Sequence, residues 1–172
     1  MPTRLLRWTL PIFAVLSTAP PAVTQETVDH RGTWLSLFVG HSNVGFLPAV
    51  ELSTRRGVHG IALRGVTAMQ IRFFSLQTRA FAELGVLYGP HLEMGRSLVT
   101  VRAGPSMYWY GSDDPSNERT SRVGPRVGLP LEFQVIGRLG NNLGAGLVVM
   151  GDLNSTKRFL GVAMGLHLGD TR

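Results

Sequence analysis

The sequence contains no cysteine and a single lysine, Lys157. Without cysteine it has no disulfide framework, no thiolate metal site, and no N-terminal lipid anchor of the bacterial lipoprotein kind, which needs a cysteine after the signal. With one lysine among 17 basic residues, the formal net charge of +6 is carried almost entirely by arginine. Arginine suits forked, desolvated hydrogen bonding to carboxylates and phosphates, whereas a water-facing surface is usually coated with lysine and glutamate. The arginines are scattered singly, without a run of like charge, which argues against nucleic acid as a partner. A long hydrophobic run is lacking too: no segment reaches the roughly 20 apolar residues that a membrane-spanning helix requires. A chain of this composition that crosses a membrane must cross it as strands.

The first stretch reads as processing rather than fold. Arg4 and Arg7 precede an apolar run from Trp8 to Leu16, followed by small and turn-forming residues from Ser17 to Ala22. That order is the pattern of a secretory signal peptide. Residues 1–24 are therefore expected to be removed, with cleavage between Ala19 and Gln25, leaving 25–172 as one domain with a net charge of about +4.

From Gly32 onward the hydropathy alternates with a period of two residues, in blocks parted by turn signals such as Arg56-Gly57 and Asn154 to Thr156. Eight blocks are predicted: Thr33 to Gly40, Phe46 to Thr54, His59 to Phe74, Arg79 to Gly89, Ser97 to Tyr110, Arg122 to Ile136, Asn142 to Asn154 and Arg158 to Leu168. The spacing suits an antiparallel meander. One face carries residues such as Leu35, Leu37, Val50, Leu63, Leu84, Val101, Leu131, Leu147 and Leu166. Of about 44 positions on it none is charged, where about 7 would be expected from the composition. The opposite face is small or polar. It holds Glu51, Arg64, Arg72, Glu83, Arg102, Arg126, Glu132 and Asp152, padded by Ser36, Gln134, His167 and many glycines. Balanced arginine and carboxylate among glycines is what a narrow, filled polar lumen requires.

Periodicity does not say which face is inside. In a soluble lipocalin-like barrel the apolar face would surround a ligand; in a membrane barrel it meets lipid. Two features favour the membrane. A face of arginine and glycine without lysine makes a poor solvent surface. Large aromatics also fall near block ends, with Phe46, Phe73 and Trp109 toward one rim and Tyr88 and Phe133 toward the other, as interfacial girdles do. The fold expected is an all-β, eight-stranded, antiparallel up-and-down transmembrane β-barrel. Signal, blocks and polar interior together resemble the small eight-stranded bacterial outer-membrane barrels of the OmpA/OmpX transmembrane-domain type. The resemblance implies a non-catalytic structural or interaction role in the outer membrane, with outer-membrane lipid and the barrel assembly machinery as partners. The segment Arg158 to Leu168 is similar to the final strand such proteins offer for assembly, although this chain continues as Gly169-Asp170-Thr171-Arg172 where the family usually ends on an aromatic. Pro105, Pro125 and Pro130 interrupt the predicted fifth and sixth strands, because proline cannot donate to the ladder, and call for bulges or a shorter sixth strand.

One candidate for catalysis stands out. His41-Ser42-Asn43 is similar to the histidine–serine–asparagine set of outer-membrane lipid A deacylases, in which histidine would activate serine against an acyl ester. The intervening residue of that motif is missing here, and Ser-Asn is equally good chemistry for a hairpin turn. No phosphate-cradling loop, zinc spacing or carboxylate pair is present. No catalytic residue, cofactor or metal is therefore expected. The longest loop is predicted from Gly111 to Ser121, with Asp113, Asp114 and Glu118.

Overall fold

The computed structural model describes residues 31–72, 77–114, 119–153 and 158–170, with the backbone alone described at 71–72, 77, 113–114 and 119–120. The expected signal segment and Phe73 lie outside the described residues. Ten stretches are extended. In chain order they are β1 (Arg31–Ser42), β2 (Phe46–Arg56), β3 (His59–Arg72), β4 (Gln77–Met94) and β5 (Ser97–Ala103). Then come β6 (Ser106–Asp114), β7 (Arg119–Gly128), β8 (Pro130–Arg138), β9 (Leu143–Asp152) and β10 (Phe159–Gly169). All pair antiparallel in the order β3-β2-β1-β10-β9-β8-β5-β4-β6-β7, and β3 pairs with β4 to close the ring.

The ring has eight staves, because β5 with β6 and β7 with β8 are halves of two interrupted strands. The interruptions fall at Gly104-Pro105 and Leu129-Pro130, where a missing N–H breaks the ladder. Irregular backbone bonds bridge the gap: Val86 N to Pro105 O at 3.0 Å, Gly104 N to Pro130 O at 3.3 Å and Leu153 N to Leu129 O at 3.0 Å. Pro125 is accommodated differently. Between the pairs Tyr108–Arg126 and Tyr110–Val123 the register shifts, so Gly124 and Pro125 bulge opposite Trp109. Gly124 has φ +137°, and a Cβ there would lie 2.8 Å from Trp109 Cδ1, so glycine is needed on both counts.

Both ends of the described chain lie at one end of the barrel, together with the turns around Gly57, Gly95 and Gly140. This is the terminal end; the other is the loop end. The β6–β7 hairpin runs further toward the loop end than expected. Gly111 to Asp114 belong to β6 and Arg119 to Ser121 to β7, so the predicted eleven-residue loop shrinks to 115–118, outside the described residues. Polar residues on both faces hid the strand period there. β7 has no strand neighbour on its second edge among the described residues, and Pro125, Arg122 and Arg126 along it oppose pairing with another chain.

Alternation assigns the faces. The described members of the apolar face point outward, among them Leu37, Val50, Leu63, Leu84, Val101, Leu131, Leu147 and Leu166. The interior differs from expectation, because it is not polar throughout. Toward the loop end it is packed with Phe38, Leu47, Phe81, Tyr108, Met150 and Phe159, in one buried cluster. Toward the terminal end Trp34, Leu98 and Ile136 form a smaller one. Glycine fits these rings into a narrow lumen. At Gly165 a Cβ would overlap the Phe38 ring and the Leu37 carbonyl. Gly165→Val is expected to lower stability by about 1–3 kcal/mol through overpacking, read as an earlier midpoint in urea unfolding of the refolded protein.

Candidate functional site

Between the two apolar layers lies a belt of ionised side chains. Direct strand pairing places Glu51 beside Arg64 and Arg102 beside Glu132, all pointing inward. The side chains then reach across the lumen. Arg64 donates through Nη2 to Glu83 Oε1 at 2.6 Å and through Nη1 to Glu132 Oε2 at 3.1 Å. Among the described residues it makes no hydrogen bond to Glu51, its neighbour in register on β2; its neighbour on β4 is Gly85. Arg102 donates to Glu51 Oε1 at 2.6 Å, Ser53 Oγ at 2.8 Å and Gln134 Oε1 at 3.3 Å, and to Glu132 Oε1 through Nε at 3.1 Å. Ser53 in turn donates to Glu51 at 2.6 Å. The sequence Glu83–Arg64–Glu132–Arg102–Glu51 ties β4, β3, β8, β5 and β2 together, and all five side chains are fully buried.

The remaining predicted interior residues lie outside this chain of ion pairs, Asp152 within reach of Glu83. Asp152 is buried but serves the backbone, accepting from Leu129 N at 2.9 Å where Pro130 interrupts the strand. Arg126 pairs in register with the inward-facing Tyr108, yet it lies on β7 beyond the last residue of β9 and is exposed rather than enclosed. For Arg72 only the backbone is described, paired with Gln77. His167 is buried, with Nδ1 2.7 Å from Ser36 Oγ and its ring edge-on to Phe38. Of the outward aromatics, Phe46, Tyr88, Trp109 and Phe133 are all exposed on the wall, and Tyr88 stacks on His59 beside the terminal-end turn.

A second ionic group, at the terminal-end mouth, has no counterpart in the sequence reading. Glu93 meets Arg55 Nη1 at 2.5 Å and Arg138 Nη2 at 3.1 Å, joining β2, β4 and β8. The predicted blocks stop at Thr54, Gly89 and Ile136, just short of all three residues, and the strands run on. Partial burial works to raise the Glu93 carboxyl, but the hydrogen bond and charge of Arg55 and the charge of Arg138 outweigh it and hold it below the ordinary carboxylate range. A carboxylate depressed on folding stabilises the fold above its unfolded value and loses that contribution as pH falls through the folded one. The stability gap between the protein and Glu93→Gln is therefore expected at neutral pH and to close on acidification. It should amount to less than about 1 kcal/mol at this half-exposed rim. Urea midpoints across the acid range check it.

The histidine–serine pair is not assembled. His41 points outward and Ser42 inward. The Ser42 hydroxyl accepts from Val44 N at 3.2 Å and Gly45 N at 3.1 Å and donates to Gly45 O at 3.0 Å. Asn43 is occupied by Arg158 O at 2.8 Å and Leu160 N at 3.2 Å. These residues build the hairpin turn. The lipocalin-like alternative fails on the side of the wall: the apolar face is outside, so it encloses no ligand.

A closed eight-stranded antiparallel barrel is the fold of the small outer-membrane barrels. No protein-family model matches the sequence, and no curated protein matches it either. Among solved structures the chain is similar to the N-terminal β-barrel domain of OprF from Pseudomonas aeruginosa, with 11% identity and a TM-score of 0.62 over 80% of this chain and 96% of that one. It is similar to Neisserial surface protein A, with 11% identity and a TM-score of 0.59 over 80% and 94%. Ail, the attachment invasion locus protein of Yersinia pestis, shows 8% identity and a TM-score of 0.58 over 82% and 99%. At these identities the likeness is one of fold.

Proposed function

We propose that the chain is an integral outer-membrane barrel whose lumen is closed by its own side chains, with a structural or interaction role and no catalysis. One observation carries this reading: an uncharged, apolar outer wall encloses a belt of buried ion pairs. In water that arrangement is inverted. In a bilayer it is favourable on both sides of the wall, because lipid meets apolar groups and the belt arginines meet carboxylates. Closure of the ring by β3 with β4 and of β1 with β10 leaves the middle of the barrel without a free strand edge, which hydrocarbon would penalise by several kcal/mol per unpaired group.

The lumen is a plug and not a channel in this reading. Eight strands leave an interior just wide enough for side chains, and three successive layers fill it: the loop-end apolar cluster, the ionic belt, and Trp34 with Leu98 and Ile136. With export from the N-terminal side, the terminal end faces the periplasm. β10, which closes the ring against β1, is the strand offered to the assembly machinery.

The test is membrane fractionation combined with gel migration of unboiled and boiled protein. An outer-membrane fraction whose unboiled band migrates faster, together with no conductance steps in planar bilayers, is the expected result. A soluble periplasmic protein without a mobility shift would overturn the reading.

A further inference from the structure

The outer wall is not evenly filled. A groove of about 830 Å³ crosses it, with Tyr88, Ala103, Leu131, Gly151 and Leu160 along its line. These five are successive partners in register from β4 through β5, β8 and β9 to β10, so they form one row on the outside. Large and small side chains alternate along the row, and the small ones, Ala103 and Gly151, open the trough. Crowding does not require the glycine. A Cβ at Gly151 would lie 3.2 Å from Phe159 O and 3.7 Å from Leu160 Cδ1, which asks for only a slight shift, and its φ is not in the left-handed region. A leucine at that place would complete the wall.

The course of the groove follows from the barrel. Ladder bonds run at right angles to the strands, and barrel strands tilt about 35–45° from the axis, so a register row climbs round the wall. This one starts at Tyr88, nearer the terminal end of β4, and finishes at Leu160, at the loop end of β10. Its Ala103–Leu131 pair is also the last between β5 and β8 before the interruptions at Gly104-Pro105 and Leu129-Pro130. At the loop-end limit of the groove stand Asn43 and Arg158. The Asn43 amide is occupied by the backbone of Arg158 and Leu160. Arg158 itself is exposed and enters no ion pair among the described residues.

An apolar trough that ends on a cation matches an amphiphile with an acyl chain and an acidic headgroup, and arginine takes a phosphate in forked bonds. A second copy of the chain fits less well, since its wall is convex and its apolar face brings no carboxylate to Arg158. We propose that this groove holds one acyl chain of a phosphate-bearing anionic lipid in the loop-end leaflet, with the Arg158 guanidinium on the phosphate. The site rests on the reading of the chain as a membrane barrel and goes beyond it, because bulk lipid would wet the whole wall alike.

The refolded, isotope-labelled barrel is placed in nanodiscs of phosphatidylcholine with a small fraction of lipid spin-labelled on its acyl chain. The labelled lipid is either phosphatidylglycerol or phosphatidylcholine, and the broadening of amide resonances by the two probes is compared residue by residue, so that depth cancels. Broadening by the anionic probe is expected to exceed that by the zwitterionic one at Ala103, Leu131 and Gly151, and to equal it at Val50 and Leu63. Unlabelled phosphatidylglycerol should compete the excess away. Arg158→Gln should reduce the preference about fivefold, the effect of one basic residue near an anionic lipid surface. Gly151→Leu should remove it by filling the trough. Gly65→Leu adds the same bulk to the outer face of β3, where a Cβ would meet only Val50 Cγ1 at 3.6 Å, and should leave it unchanged. Faster gel migration of the unboiled protein reports that each variant is folded. Equal broadening by both probes round the whole wall, or equal effects of Gly151→Leu and Gly65→Leu, would overturn the groove while the membrane barrel stands. Exclusion of both probes from Gly151 alone would mean that a second copy covers it, and would overturn the lipid site as well. Broadening nowhere on the wall would overturn the membrane reading together with the site.

Discussion

Replacing Arg102 by methionine is expected to lower the unfolding free energy of the refolded barrel by about 3–5 kcal/mol, the range for removing one partner from a buried ion network. Methionine preserves most of the volume, so the loss reports charge and hydrogen bonding rather than a cavity. Arg102 is the choice because it serves four acceptors at once: Glu51, Ser53, Glu132 and Gln134. Glu132 retains Arg64 in the variant, but among the described residues Glu51 has no other cation bonded to it. Arg102→Lys should recover only part of the loss, since a point charge cannot serve the carboxylates and Ser53 with one planar fork. Adding Glu51→Leu to Arg102→Met should cost less than the sum of the two single changes, because the stranded carboxylate goes with its cation. Urea unfolding in lipid vesicles followed by tryptophan fluorescence measures all four. A loss below about 1 kcal/mol for Arg102→Met would show that the belt is not a stabilising unit.

Charging the outer wall should have an effect of similar size, and its depth profile is diagnostic. Leu84 stands near the middle of β4, the longest strand, and is 53% exposed; Leu92 is 56% exposed but close to the terminal-end turn. In a bilayer Leu84→Arg is expected to cost about 2–4 kcal/mol and Leu92→Arg about 0–1 kcal/mol. Exposure alone cannot distinguish these positions, so the difference comes from what lies against the wall. A barrel surrounded by water would accept arginine equally at both. Vesicle unfolding midpoints of the two variants, side by side, decide between lipid and water outside.

The outer wall was legible in the sequence because a period of two is exclusive: once Leu35, Leu37 and Val39 point one way, Ser36 and Phe38 must point the other. The interior was less legible. The polar residues Glu51, Arg64, Glu83, Arg102 and Glu132 stood out against apolar neighbours, but Phe38, Leu47, Phe81, Tyr108 and Met150 did not. They alternate with residues that are themselves apolar, so both faces of those stretches read alike. Arg126 shows the converse limit. Its strand parity puts it on the inner side with Tyr108, yet whether an inner side is enclosed depends on how far the next strand extends, and β9 ends below it. Arg55, Glu93 and Arg138 fell outside the predicted blocks because arginine and glutamate beside a glycine turn look like loop chemistry.

Alternation, turn residues and the scarcity of charge on one face are local properties, and by themselves they determined that the chain makes eight antiparallel staves with one apolar side. Which charges meet was decided only by the closed ring. Glu51 and Arg64 are adjacent in register, yet Arg64 bonds across the lumen to Glu83 and Glu132 while Glu51 bonds Arg102. Strand register fixes where a side chain is rooted. The curvature of an eight-stranded barrel sets which long side chains from opposite walls can touch, and no spacing along the sequence encodes that distance.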